Sequence, residues 1–270
     1  VRIEQIENLP ELFAERIRDG YLYGDFQFAT ERDSEDFLRC GVFSCYRAVE
    51  PAAEVPAPQL ELSADNWRQL LHLAHTDRRR AFALYSAHYL ATDGQRYWSD
   101  THQLSVYLDH YHADLDRQME APVKATEMIT ELYIPRVSLT MFMDRVRADF
   151  REHQVELIYG TIRLIERDDE SFLAWAREDF ACVVFNLHVV HDAAGIAEAA
   201  ADFRRLIDRA LELGGSYYLT YHRWATREQV LAAYPQMPEF LQQKLRYDPD
   251  ELFQSEWYRH HREMLAPIGA

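Results

Sequence analysis

The run Ala181-Cys-Val-Val-Phe-Asn-Leu-His-Val-Val190 constrains this chain more than any other segment. It is far too short to span a bilayer, and its β-branched residues read as a buried strand. Asn186 and His188 interrupt it two positions apart, so they share one face of that strand. The sequence on either side supplies neighbours for it. Thr126 to Ile134 alternates at period two and is closed by Pro135. Val155 to Ile165 does the same with Val155, Leu157, Ile162 and Leu164. Ser138 opens a helix through Phe142, Val146 and Phe150 to about His153, and Gly195 to Leu213 is alanine-rich and helical. Gly214-Gly215 ends that second helix as a left-handed C-cap does. A short helix is expected around Phe172 to Trp175, and a last strand from Ser216 to Tyr221. The order over residues 126–222 is β-α-β-β-α-β, which predicts an α+β fold with a ferredoxin-like, split βαβ antiparallel sheet.

The first half is plainer. A helix is expected from Asn8 and Pro10 to Asp19-Gly20, then strands at Tyr21 to Phe28 and Phe43 to Val49. Pro51, Pro56 and Pro58 mark a linker. Residues 63 to about 118 read as helical, with Ser63 as a cap and a break at Asp93-Gly94, and they hold six of the twelve histidines. After residue 222 the pattern is of short helices, one opened by the Thr226/Gln229 capping box. Four segments follow: 1–60 strands and linker, 61–125 helical insertion, 126–222 α+β core, and 223–270 helical tail.

With 29 Lys and Arg against 45 Asp and Glu, the formal charge is −16. A surface this acidic repels phosphate backbones and anionic lipid, so nucleic acid and membranes are excluded as partners. Three cysteines, Cys40, Cys45 and Cys182, make no disulfide framework and suit a cytoplasmic protein. No Gly-x-Gly-x-x-Gly, Walker loop, His-Glu-x-x-His or Gly-x-Ser-x-Gly occurs, and nine glycines leave no phosphate cradle. His72 and His75, His110 and His112, and His260 and His261 are close-set, but neighbours on one helix do not make a zinc site. No metal site is expected.

Polar residues on the core strands are more informative. Glu131 and Tyr133, Thr161 and Arg163, and Asn186 and His188 are each two apart, so each pair shares a face of its strand, as do Tyr217, Leu219 and Tyr221. Such a sheet face reads either as the floor of a pocket that something else covers or as a merely solvated surface.

Tyr21-Leu-Tyr-Gly-Asp-Phe-Gln-Phe-Ala29, Glu131-Leu-Tyr-Ile-Pro-Arg136, Thr161-Ile-Arg163 and the closing Ala233-Tyr-Pro-Gln236, Phe240 and Tyr247 to Ser255 together resemble the FAD-linked oxidases. The branch is the vanillyl-alcohol oxidase type with alditol and aldonolactone oxidases. The resemblance implies a cap domain and C-terminal return, with the N-terminal FAD-binding domain, a partner in the same polypeptide, lying outside a chain that begins at Val1. It implies FAD as cofactor, bound by residues not found here, and a small alcohol as substrate, with a homo-oligomer possible. It further implies catalytic roles for Arg163, His188, Tyr221 and His222, and substrate contacts from Glu131, Tyr133, Thr161 and Asn186. The family's Glu-x-Arg pair is here Thr161-Ile-Arg163, and its lysine is absent from Tyr221-His-Arg-Trp-Ala225. The rival expectation is a freestanding binding or protein-interaction module without redox activity.

Overall fold

The computed structural model describes residues 1–98 and 108–266; positions 99–107 of the expected helical stretch lie outside the described residues. The strands are β1 (Arg2–Gln5), β2 (Tyr23–Phe28), β3 (Cys40–Tyr46), β4 (Ala125–Pro135), β5 (Leu157–Ile165), β6 (Phe180–Val190) and β7 (Ser216–Tyr217). They form one antiparallel sheet in the order β1-β3-β2-β5-β6-β4-β7. The fold is α+β.

The helices are α1 (Leu9–Arg18), α2 (Ala64–Thr76), α3 (Arg78–Ala91), α4 (Tyr111–Gln118), α5 (Leu139–Glu152), α6 (Ala193–Leu211), α7 (Arg227–Ala233), α8 (Met237–Tyr247) and α9 (Glu256–Leu265). Over 126–222 the chain follows the expected element order β4-α5-β5-β6-α6-β7. Those four strands do not close a sheet of their own. β2 pairs with β5 through Phe26↔Ile162 and Gln27↔Thr161, so the N-terminal strands extend the same sheet.

Period-two alternation gives the sheet two unlike faces. Phe26, Phe28, Phe43, Leu132, Ile134, Ile162, Val183, Phe185 and Leu187 point one way and pack with Phe13 of α1, Phe142 and Phe150 of α5, and Phe203 and Leu206 of α6. This is the main core. The opposite face carries a smaller apolar cluster, Tyr133, Phe180, Cys182 and Val184 with Ala176, and most of the polar strand residues. Helices α2 and α4 lie on that second face, where they bring side chains onto β4 and β6.

Local signals explain most boundaries. Ser63 and Asn66 form a capping box that opens α2, Asp77 caps α3, and Thr226 with Gln229 opens α7. Gly20 and Gly214 adopt φ of +79° and +78° just past α1 and α6, where a side chain would be strained. Asn8 and Ser138 precede α1 and α5 without side-chain caps; the amide of Asn8 donates to Glu4 instead.

Two expected elements differ. Phe172 to Trp175 is a turn rather than a helix. It is held by tertiary contacts: Trp175 stacks on Tyr133 at 6.3 Å, and its carbonyl accepts from Ser216 Oγ at 2.9 Å. The last strand stops at Tyr217 instead of Tyr221, after which the chain turns. Among the described residues no helix is long and apolar enough to cross a membrane.

Candidate active face with two carboxylate centres

The register of β4, β5 and β6 decides which polar side chains meet. Glu127 pairs with His188, Ile129 with Asn186, Glu131 with Val184 and Tyr133 with Cys182. On the other side of β6, Tyr159 pairs with Asn186, Thr161 with Val184 and Arg163 with Cys182. Directly paired residues in an antiparallel ladder share a face. Glu131, Tyr133, Thr161, Arg163, Asn186 and His188 therefore all stand on the face opposite the main core.

Glu131 is the centre of one end. Its carboxylate is buried, at 9% exposure. Oε1 accepts from Arg163 Nη2 at 3.0 Å and from the Tyr221 hydroxyl at 3.1 Å. Oε2 accepts from the Tyr133 hydroxyl at 3.0 Å and from Cys182 Sγ at 3.4 Å. Four donors on one carboxylate satisfy it fully, which burial demands. Tyr133 and Cys182 are themselves buried, but the side chain of Arg163 is 49% exposed and Tyr221 is 38% exposed. The cation and one phenol thus face outward while an internal carboxylate holds them in place.

The ionisation states follow from the same contacts. Burial, reinforced by Glu131, pushes the Tyr221 phenol up to about 12 and the Cys182 thiol up to about 12. Tyr133 is raised further for the same two reasons. None of the three is ionised at neutral pH, so Cys182 is no nucleophile and Tyr221 works as a neutral hydroxyl. Thr161 is buried beside them and its hydroxyl donates toward Asp25 Oδ2 at 3.1 Å and the Phe26 carbonyl at 3.2 Å. Burial pushes Asp25 up to about 6, against the opposing pull of Thr161 and Arg163.

His222 does not join this face. It is buried at 7% exposure on the other side of the sheet, with its ring 4.5 Å from Phe203 of α6 and 5.6 Å from Trp224. Burial pushes its imidazole down to about 4. Tyr217 also faces the main core, whereas Tyr221 reaches Glu131. The shared face expected for Tyr217 and Tyr221 is lost because the strand ends at Tyr217 and the chain turns before residue 221.

The other end of the face is built around Glu127, roughly 13 Å along β4 from Glu131 at the rise of an extended strand. Its side chain is 2% exposed. His75 Nε2 of α2 lies 3.0 Å from Oε1, and His188 Nδ1 of β6 lies 3.7 Å from the same oxygen. His112 Nδ1 of α4 lies 2.7 Å from Oε2, which also accepts from the Tyr111 hydroxyl at 2.8 Å. Burial would raise the Glu127 carboxyl, but His188, His75 and Tyr111 outweigh it and hold the group well below the usual carboxylate range. The sequence placed His188 with Arg163 and Tyr221; in the fold it belongs to the Glu127 centre. His75 and His112 were legible only as members of close-set pairs, because their convergence depends on how α2 and α4 dock. Glu127 is not singled out in the sequence, although its four-residue spacing from Glu131 on an alternating strand is the signal that puts the two on one face.

No protein-family model matches this chain, and no curated protein matches it either, so the function of the two centres is argued from their geometry.

Proposed function

We propose that this chain is the cap portion of an FAD-dependent oxidoreductase, oxidising a CH–OH group of a small substrate by hydride transfer to flavin. The observation that supports the reading is the Glu131 centre: a buried carboxylate holding an outward-facing guanidinium and an outward-facing phenol on one open sheet face. The residues fit the substrate side of such a cofactor and not its pyrophosphate. The positive-φ glycines among the described residues, Gly20, Gly94 and Gly214, sit in turns after helices rather than in a strand-to-helix phosphate loop.

A bound flavin would supply the acceptor for the hydride leaving the substrate carbon with its electron pair. Arg163 binds the substrate oxygen and offsets negative charge that develops there. Tyr221 supplies the proton path. Its hydroxyl donates to Glu131 Oε1, which leaves its lone pairs free to accept from the substrate hydroxyl. As the carbonyl forms, the substrate proton passes to the Tyr221 oxygen while the Tyr221 proton passes to Glu131. This relay needs no phenolate, in keeping with a phenol pushed up to about 12. Tyr133 and Cys182 orient the carboxylate, and Asn186 lies farther along the face, between Ile129 and Tyr159. Three free cysteines suit a cytoplasmic setting.

The test is the visible spectrum and intact mass of the protein from its native source. The reading expects a flavin spectrum in the polypeptide that contains this chain, bleached anaerobically by its alcohol substrate. Arg163→Met and Tyr221→Phe should slow bleaching while leaving the flavin bands in place. A colourless protein would overturn the reading and return the face to a binding module.

A further inference from the structure

The three histidines around Glu127 differ from a hydrogen-bonded cluster in one respect. His75 Nε2, His112 Nδ1, His188 Nδ1 and Glu127 Oε1 are all buried, and none has a directed hydrogen bond despite separations as short as 2.7 Å between nitrogen and carboxylate. Poorly directed contacts leave part of each group's bonding capacity unused, and three of these atoms, His75 Nε2, Glu127 Oε1 and His188 Nδ1, converge on one point. The side chains of His75 and Glu127 are far inside, at 3% and 2% exposure, while His188 and His112 are 23% and 31% exposed and border on solvent. Nitrogen and oxygen donors that close, from separate elements, are what a single cation satisfies at once.

We propose that His75 Nε2, Glu127 Oε1 and His188 Nδ1 form a binding site for a divalent first-row transition ion of the zinc type, with the fourth position filled by His112 Nδ1 moving from Glu127 Oε2, 2.7 Å away, toward the ion. The three donor atoms lie within 4.8 Å of one another. Metal–ligand bonds of about 2.0–2.2 Å put tetrahedral ligand atoms a little over 3 Å apart, so shifts of tenths of an ångström to about an ångström complete the site. Two or three imidazoles with one carboxylate select zinc, iron or cobalt over calcium and magnesium, which take oxygen. The ligands come from α2, β4, β6 and α4, so the ion also pins α2 and α4 to the sheet. Tyr111 supplies the outer support. Its hydroxyl donates to Glu127 Oε2, which orients the carboxylate and turns Oε1 toward His75 and His188. Coordination requires the His75 tautomer with its proton on Nδ1 and the His188 tautomer with its proton on Nε2. The site is separate from the Glu131 centre and does not depend on the flavin reading.

The experiment is titration of chelator-treated protein with Co²⁺ and Zn²⁺, followed by the visible cobalt spectrum and by calorimetry. One equivalent should bind, with the intense d–d absorption of a four-coordinate cobalt site, and Zn²⁺ should displace it. Loss of an outer-shell partner alone costs 10–100-fold in affinity, so His75→Ala and Glu127→Gln should each cost about a hundredfold or more. Tyr111→Phe should cost about tenfold. His72→Ala, one turn away on α2 and outside the donor set, should leave binding unchanged. Zinc should raise the melting temperature of the wild type and of His72→Ala, and not of the ligand variants. Should a ligand variant fail to fold, the cobalt spectrum and stoichiometry of the wild type still decide. Absence of stoichiometric binding, a weak six-coordinate cobalt spectrum, or affinity that survives loss of His75 and Glu127 would overturn the proposal.

Discussion

Glu127 and Glu131 stand four residues apart on one strand and one face, yet each gathers a different set of partners. Glu131 is saturated by two phenols, a thiol and a guanidinium. Glu127 is met by three imidazoles and one phenol, and the nitrogen–carboxylate contacts there are close but poorly directed as hydrogen bonds. The same residue type on the same strand thus anchors a hydrogen-bond hub at one end and a ligand set at the other. The difference lies in what packs on top, and it leads to distinct expectations for substitutions.

Removing the Glu131 carboxylate leaves buried Tyr133 and Cys182 without their acceptor. Glu131→Ala should cost about 2–3 kcal/mol in denaturant unfolding. Arg163→Ala should cost less, about 1 kcal/mol, because Glu131 Oε1 keeps the Tyr221 donor and water can enter where the half-exposed guanidinium stood. Equal costs for the two would show that Glu131 is not the hub of this network.

Asp25 keeps its proton to higher pH than an ordinary carboxyl, because burial pushes its pKa up to about 6 from 3.8. The folded state therefore binds a proton that the unfolded chain has released. Its contribution to stability is full below about pH 4 and is lost as pH rises through 6. Two pKa units correspond to roughly 3 kcal/mol at most. Asp25→Asn should remove that slope, so the stability difference between variant and wild type should grow in the variant's favour from pH 4 to pH 7. Melting temperatures across that range check it.

His222 has the opposite sign. Its pKa falls to about 4 from 6.5, so the folded state favours the neutral ring. That contribution is full above about pH 6.5 and is lost as pH falls toward 4, by about 3 kcal/mol at most. His222→Phe, which keeps a ring against Phe203 and Trp224, should flatten the acid limb of the stability profile. It should leave the outward-facing Arg163 and Tyr221 untouched. An unchanged acid limb would mean that the imidazole is not the group responsible.

Gly160 sits where β5 passes Phe28 and β6. A Cβ there would lie 2.2 Å from the Phe28 ring and 2.7 Å from the Val184 carbonyl oxygen. Gly160→Ala should destabilise the protein by about 2–3 kcal/mol or more, since both neighbours are fixed in the core or the ladder. Gly94→Ala, with open space at its Cβ but φ of +76°, should cost only about 1 kcal/mol of backbone strain. Denaturant midpoints compare the two.

Secondary structure was legible where local chemistry decides it. Capping boxes at Ser63 and Thr226, the glycine after α6 and the period-two runs of β4 and β6 all stand in the fold as their residues direct. Local signals failed where distant contacts override them. The turn at Phe172 to Trp175 is held by Tyr133 and Ser216, from strands well separated in sequence.

The sequence by itself determined that Glu131 and Tyr133, Thr161 and Arg163, and Asn186 and His188 share faces within their strands, because side chains alternate at period two whatever the strand pairs with. Tertiary structure decided the rest. Register across β4, β5 and β6 put those pairs on the same side of one sheet, and the turn after Tyr217 sent Tyr221 to that side and His222 into the core. Docking of α2 and α4 brought His75 and His112 to Glu127 from 52 and 15 positions away in the chain. Periodicity reports only the direction of a side chain from its own backbone; which backbone lies opposite is settled by burial of the apolar face, and that is a property of the whole fold.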